Sequence, residues 1–379
     1  MTQQPHILFV LEYFHPHVGG VETLFYSLVR ELAQRGYPCT VLTQRFRPDL
    51  PAKEQQGNLR IRRIRVPNRY LFTLMGFFAA LPLLRRVQLI HTTSYNAALP
   101  AFLAALVGRK KILITFHEVW GHLWFSLPGM GKIMRWGHYA FERLLLWLPF
   151  RRFVAVSKAT AHRLQEAGVA PHRITTIYNG LDYADFPNLE PSRPKPNPVR
   201  GFFRYTYFGR PGMSKGLDLL LPAAARLASD YPEGELLLIL PHDMPRAIAR
   251  IRQQIAELDL EHRVCIQQSL PYRELVQTLG QSDWVVIPSY SEGFCFAAAE
   301  AAALGLPIVH SDRAALREVV SGYHIPMAQQ DVNGLHEALN QAVAGNWAYR
   351  PQRTFPLRES VRQYIGLYES LLAPEKVIV

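Results

Sequence analysis

Residues 6–32 read HILFVLEYFHPHVGGVETLFYSLVREL, and the order of apolar positions in this stretch decides the fold. His6-Ile-Leu-Phe-Val-Leu11 is a continuous apolar run of strand length. After the paired glycines, Val21, Leu24, Phe25, Leu28, Val29 and Leu32 recur at the spacing of a single helix face. The stretch is therefore a strand, a loop and a helix.

Outward from this unit the pattern repeats. Gly36 ends the helix, Cys39–Thr43 supplies a second strand, and Leu59–Val66, Val87–His91 and Lys111–Thr115 read as further strands, with helices from about Tyr70 and over Ala97–Val107. An aromatic and basic stretch, Trp120–Phe150, precedes two more strands at Phe153–Val156 and Ile174–Tyr178. Such alternation builds a parallel sheet with helices on both faces. Residues 187–200, PNLEPSRPKPNPVR, hold five prolines and almost no apolar side chains, so they read as a linker. Beyond them the alternation restarts at Tyr205–Phe208 and runs through Leu236–Leu240, Val264–Gln267, Trp284–Ile287 and Pro307–His310. The expected architecture is α/β: two doubly wound, Rossmann-like parallel-sheet domains over 1–186 and 201–355, facing a cleft. A C-terminal helix within 356–379 is expected to cross back to the first domain, with Val361, Ile365, Tyr368 and Leu372 on one face.

Composition agrees with this division. A chain of 379 residues, 49% hydrophobic, exceeds one ordinary core and is too apolar for disorder. Cys39, Cys265 and Cys295 lie far apart and form no CxxC pair, which excludes a disulfide framework and suits a reduced, cytoplasmic chain. The apolar run from Ile7 is short, follows no basic residue and is interrupted by Glu12, so no export signal is expected. Tyr70–Leu84 has fifteen uncharged residues where a bilayer span takes about twenty, and it reads as a buried helix, with a membrane-dipping segment as the alternative.

Charge is distributed unevenly. Residues 1–182 carry 23 Lys and Arg against 9 Asp and Glu, whereas 183–379 carry 19 against 21. The basic half should face something anionic, and nucleic acid, an acidic membrane or a phosphorylated small molecule all qualify. A basic nucleic-acid-binding protein is the reading from a different class, but no recognition helix, RNA-binding signature or zinc finger occurs, so nucleic acid is not expected.

Three motifs after strands carry chemistry. Gly19 and Gly20 follow the first strand and let the backbone approach a ligand, with helix amides suited to phosphate. Gly209-Arg210 and Lys215-Gly216 bring two fixed cations to a strand end, a fork and a point charge suited to a diphosphate. No Walker loop or GxGxxG spacing occurs. Glu292-Gly293-Phe294-Cys295 opens an alanine-rich helix in which Glu300 stands without an obvious ion-pair partner, and such a carboxylate suits a ligand hydroxyl.

Together, GGxE at Gly19–Glu22, GRxxxxKG at Gly209–Gly216 and EGFxxxxxE at Glu292–Glu300 resemble the retaining family 4 glycosyltransferases of the GT-B fold. The similarity covers nearly the whole chain, including Thr115-Phe-His117-Glu118, Val156-Ser157 and Asn179-Gly180-Leu181-Asp182. The resemblance implies that Arg210 and Lys215 hold the diphosphate of a nucleotide sugar, the co-substrate, and that Glu300 binds the ribose hydroxyls. Glu292 and the amides of Gly293, Phe294 and Cys295 would hold donor-sugar hydroxyls. Gly19 and Gly20 would close on the donor phosphate, and His117 would stand near acceptor and donor sugar. It also implies a retaining reaction, with Arg210, Lys215, Glu292 and His117 as its catalytic residues. No DxD motif occurs, so neither a metal nor another cofactor is expected, and Arg210, Lys215 and helix dipoles must absorb the leaving charge. Cys295 stands where the family commonly has glycine. The rival within the fold is a nucleotide-sugar epimerase that cleaves and re-forms the bond to the diphosphate.

One further stretch bears on location. From Ile133, the residues Trp136, Gly137, Ala140, Phe141, Leu144, Leu145 and Leu148 share an apolar helix face, with Lys132, Arg135, His138 and Arg143 elsewhere and Arg151 and Arg152 following. This reads either as a core-facing helix with a solvated basic face or, more sharply, as an interfacial helix in the acceptor domain, with Trp124 and Trp136 entering the headgroups and the cations meeting anionic lipid. A peripheral enzyme on the inner face of the cell membrane follows, acting on a lipid-linked or glycan acceptor.

Overall fold

The computed structural model describes residues 4–17, 19–126, 130–186 and 201–374; the linker expected at 187–200 lies outside the described residues. Its contacts divide the chain into two units, one from 1–126, 130–180 and 356–379, the other from 181–355. Residues 181–186, expected in the first domain, cluster with the second because Leu181 donates to the Phe355 carbonyl (2.8 Å) and Phe355 donates to the Tyr183 hydroxyl (3.0 Å).

The first unit is built on β1 (Ile7–Val10), β2 (Cys39–Gln44), β3 (Lys53–Gln56), β4 (Leu59–Ile64), β5 (Leu89–Thr93), β6 (Lys111–Phe116), β7 (Arg152–Ala155) and β8 (Ile174–Thr176). They pair in the order β3-β4-β2-β1-β5-β6-β7-β8, parallel except for β3. β3 is wholly polar, an edge strand that carries no periodic signal. Its helices are α1 (Gly20–Gln34), α2 (Arg69–Ala80), α3 (Ala98–Gly108), the short α4 (Leu123–Ser126), α5 (Lys132–Trp147) and α6 (Lys158–Glu166). Phe72 and Ala80 of α2, Ala101 and Ala104 of α3, Leu145 of α5 and Leu164 of α6 share one core with Leu8, Ile90, Ile114 and Phe153 of the sheet.

The second unit has β9 (Phe203–Phe208), α7 (Leu217–Asp230), β10 (Gly234–Leu240), α8 (Pro245–Glu257), β11 (Val264–Gln268), α9 (Tyr272–Leu279), β12 (Trp284–Ile287), α10 (Phe296–Ala303), β13 (Ile308–His310), α11 (Leu316–Val319), β14 (Gly322–Pro326), α12 (Val332–Val343) and β15 (Ala348–Arg350). The strand order is β11-β10-β9-β12-β13-β14-β15, parallel except for β15. Both sheets are therefore doubly wound, reversing direction between β1 and β5 in one and between β9 and β12 in the other.

The last helix, α13 (Leu357–Leu372), packs in the first unit along α1. Val361, Tyr364, Tyr368 and Leu371 are its buried face, one position away from the expected Ile365 and Leu372, because two tyrosine hydroxyls find partners inside. Tyr368 OH lies 2.7 Å from His91 Nδ1, and Tyr364 OH lies 3.3 Å from Thr115 Oγ1, which is 2.8 Å from His91 Nε2.

Tyr70–Leu84 is not the buried helix its composition suggests. Phe72, Gly76 and Ala80 of α2 are buried and Phe77 and Ala79 pack partly against the core, while Tyr70 (60%), Leu74 (59%) and Phe78 (60%) are exposed. Helical periodicity can bury only one side of this segment, and its other side is equally apolar.

Candidate active site

In the second unit the chemistry gathers at the carboxyl edge of β9, β10 and β12, around the point where strand order reverses. Gly209 leaves β9 at φ +131° and Gly216 caps α7 at φ +72°, a left-handed geometry that suits glycine. A Cβ on Gly216 would lie 2.1 Å from the Pro288 carbonyl oxygen, so this loop is pressed against the one after β12. The Tyr290 amide donates to the Ser214 carbonyl (2.7 Å), closing the same contact.

This apposition carries Lys215 onto Glu292. The ammonium lies 2.8 and 2.7 Å from the two carboxylate oxygens, and Ser289 Oγ donates to one of them (2.8 Å). Arg210 sits beside Asp243, its Nη1 3.1 Å from Oδ2. Asp243 follows β10 and sits in no motif, so sequence reasoning missed it; its place just beyond a strand was the available signal. Cys295 caps α10 at φ +74°, so it takes the left-handed geometry for which a family glycine would serve, and its side chain is buried with Phe294.

Glu300 is half-buried on α10 and, among the described residues, has no hydrogen-bond or ion-pair partner. Burial pushes its carboxyl up to about 7. A carboxylate so placed is an acceptor awaiting a donor.

In the first unit, Gly19 caps α1 and Gly20 is its first residue, and His117 directly follows β6. Burial pushes the His117 imidazole down to about 4, so it is neutral at ordinary pH. Its Nε2 is buried without a hydrogen-bond partner among the described residues. His15 stacks on Tyr26 (4.1 Å) and His17 on Tyr13 (4.3 Å), with His17 Nδ1 2.9 Å from Glu22.

The loop after His117 is fixed by a residue that no motif flagged. Glu142 of α5 is fully buried and accepts from the amides of Trp120 (2.9 Å) and Gly121 (2.7 Å), with Tyr95 OH 3.3 Å away. Trp124, expected at the membrane, is instead buried: it stacks on His138 (4.7 Å) and meets Trp120 at a tilt (4.4 Å), with its Nε1 3.4 Å from Glu142. Arg135 likewise turns inward, its Nη1 donating to the Phe125 carbonyl (2.6 Å). Lys132 and Trp136 are exposed, as an interfacial role requires.

Residues 18–185 match the family described as Glycosyltransferase Family 4, and residues 190–364 match Glycosyl transferases group 1. The chain belongs to the family 4 glycosyltransferases of the GT-B fold. A human protein of the phosphatidylinositol N-acetylglucosaminyltransferase is 26% identical over 90% of this chain and 69% of its own length. The GDP-mannose:cellobiosyl-diphosphopolyprenol alpha-mannosyltransferase of Xanthomonas oryzae is 26% identical over 81% and 78%. Among solved structures, sucrose-phosphate synthase from Thermosynechococcus elongatus superposes with a TM-score of 0.77 at 22% identity, over 97% of this chain and 99% of that one. Anabaena HepE in complex with UDP-glucose gives 0.69 at 18%, over 96% and 99%. These likenesses fix the fold, and the family makes the chain an enzyme that transfers a sugar from a nucleotide-sugar donor.

Proposed function

We propose that this glycosyltransferase moves a sugar, with retention and without a divalent metal, from a nucleotide-diphosphate sugar to a lipid-linked acceptor, in surface glycan or glycolipid synthesis. The observation that carries the donor half is the grouping, at one sheet edge, of Arg210, Lys215, Glu292 and the unpartnered Glu300. Lipid acceptors are supported by two relatives whose names contain phosphatidylinositol and diphosphopolyprenol.

As the glycosidic bond stretches, negative charge grows on the departing diphosphate, and fixed cations stabilise that state more than the ground state. Arg210 and Lys215 supply them. Each now faces a carboxylate, so the diphosphate takes over Arg210 from Asp243 and shares Lys215 with Glu292. Lys215 and Ser289 hold the Glu292 oxygens in one orientation, ready to accept donor-sugar hydroxyls. The amides of Gly293, Phe294 and Cys295 open α10 and add the positive end of its dipole. Glu300 takes the ribose hydroxyls, Gly19 and Gly20 contact the donor phosphate, and neutral His117 offers a hydrogen bond to the reacting sugars.

The test is a labelled nucleotide sugar incubated with a membrane-lipid extract in excess EDTA, with the product's anomeric configuration read by NMR. A lipid-extractable, retained product is expected. Inversion would overturn retention, strict metal dependence the charge assignment, and an epimerised free nucleotide sugar would favour the epimerase.

A further inference from the structure

The helix layer of the first unit is apolar on both of its sides. Over the sheet, α2, α3 and α5 contribute to one core; on the far side the short α4 packs against α5, Phe125 meeting Trp136 (4.8 Å), while bulky apolar side chains of all three helices stay exposed. On α2, Tyr70, Leu74 and Phe78 are exposed at successive turns. On α5 the inversion is more pronounced: Glu142 is fully buried, while Ile133 (91%), Trp136 (61%) and Trp147 (81%) point out along one side. α3, which joins β5 to β6 between these helices, leaves Leu106 (67%) and Val107 (64%) exposed. Scattered surface apolar residues are ordinary, but three neighbouring helices exposing bulky stripes together are not.

The charge around these stripes is mostly positive, with Glu166 at the end of α6 and Glu12 beside Arg69 as the nearby carboxylates. Residues 55–165 contain 17 Lys and Arg and two carboxylates, Glu118 and Glu142. Both carboxylates are engaged by the loop after β6: Glu142 by its amides and Glu118 by Trp120 Nε1 (2.8 Å). Arg65, Arg85, Arg86, Arg109, Lys132 and Arg151 are exposed around the layer. An anionic bilayer matches both features at once, with an apolar interior beneath a uniformly negative headgroup plane.

We propose that α2, α3 and α5 form a platform that lies flat on an anionic lipid bilayer, with α2 as a limb equal to α5. The platform deepens the reading of a lipid-linked acceptor, on which it rests. Apolar stripes along the helices, rather than at one end, set their axes parallel to the membrane plane. The carboxyl edge of the first sheet, where His117 stands, then faces along the bilayer surface within reach of a headgroup-linked acceptor.

The experiment is co-sedimentation of the full chain with phosphatidylcholine vesicles with and without phosphatidylglycerol. Wild type should pellet with anionic vesicles, and salt should weaken but not abolish pelleting, because the apolar part persists. The variant Tyr70→Ser/Leu74→Ser/Phe78→Ser should lose at least tenfold in partition coefficient, with its affinity for nucleoside diphosphates unchanged. Ile133→Ser/Trp136→Ser/Trp147→Ser should lose as much. Wild-type pelleting by the α2 variant would overturn the platform, as would a wild type that stays in the supernatant at low salt. Self-association that depends on Tyr70, Leu74 and Phe78 would assign the face to a second copy and also overturn it. Failure of the acceptor reading shows separately, as absent transfer to lipid by a chain that still pellets.

Discussion

Lys215 and Arg210 illustrate what a single residue can carry. If both act on charge that develops as the bond breaks, Lys215→Ala and Arg210→Ala each raise the barrier by about 3 kcal/mol, a hundredfold or more in turnover; Arg210→Ala should leave the melting temperature nearly unchanged, while Lys215→Ala should also lower it, because the buried Glu292 carboxylate loses its cation. Turnover at the wild-type level in either folded variant would make the loop an ordinary basic surface. Glu300 predicts a pH dependence. Its carboxyl lies near 7 in the fold, above its ordinary value, so the acceptor form that takes ribose hydroxyls is lost below neutrality. Nucleoside affinity should fall about tenfold from pH 8 to pH 6, and Glu300→Gln should bind weakly and evenly across that range; equal slopes would remove Glu300 from the site. Cysteine reactivity separates three environments. Burial pushes Cys39 up to about 12 and Cys295 well above a free thiol, while Cys265 is exposed, so only Cys265 should react with a thiol reagent in the native state.

At the scale of elements, most of the parallel strands and their helices were legible because each is a short apolar run followed by a period of 3.6, but the parallel β14, which opens on Gly322 and closes on Pro326, and the helix α12 after it were not read. Nor were β3 and β15, being short edge strands with polar or exposed side chains. The motif residues were legible from their position beyond strands, and the same position marks Asp243, which had no family signature to draw notice. Glu142 was illegible for another reason: a glutamate within a basic, aromatic helix reads as solvated, and only the fold shows that the loop after β6 bonds to it. The faces of α2 and α5 misled because periodicity identifies an apolar side without saying whether the core lies beneath it. Two substitutions test these supports. Glu142→Ala leaves the half-buried Trp120 and Gly121 amides without their acceptor, and should cost about 1–3 kcal/mol of stability; an unchanged melting temperature would show that the loop does not depend on it. Gly216→Ala forces a left-handed alanine against the Pro288 carbonyl, and should cost at least about 1–2 kcal/mol together with donor affinity.

At the scale of the whole molecule, buried imidazoles set the acid limit. Burial pushes His91 and His310 down to about 3 and His117 and His324 to about 4. In the unfolded chain these groups take up protons below about 6.5 and in the fold they do not, so stability is lost as pH falls from there toward 4. The melting temperature should drop steeply between pH 7 and pH 5, and a level profile would contradict their buried, neutral placement. The central claim is that the second unit holds a nucleoside diphosphate through side-chain cations. Its most direct measurement is equilibrium titration of the full chain with UDP, GDP and ADP in excess EDTA, with Arg210→Ala/Lys215→Ala alongside. At least one diphosphate should bind the wild type and bind the double variant about a hundredfold or more weaker, as the loss of two charge-assisted contacts requires. No binding without metal, or equal affinity in the double variant, would contradict the account.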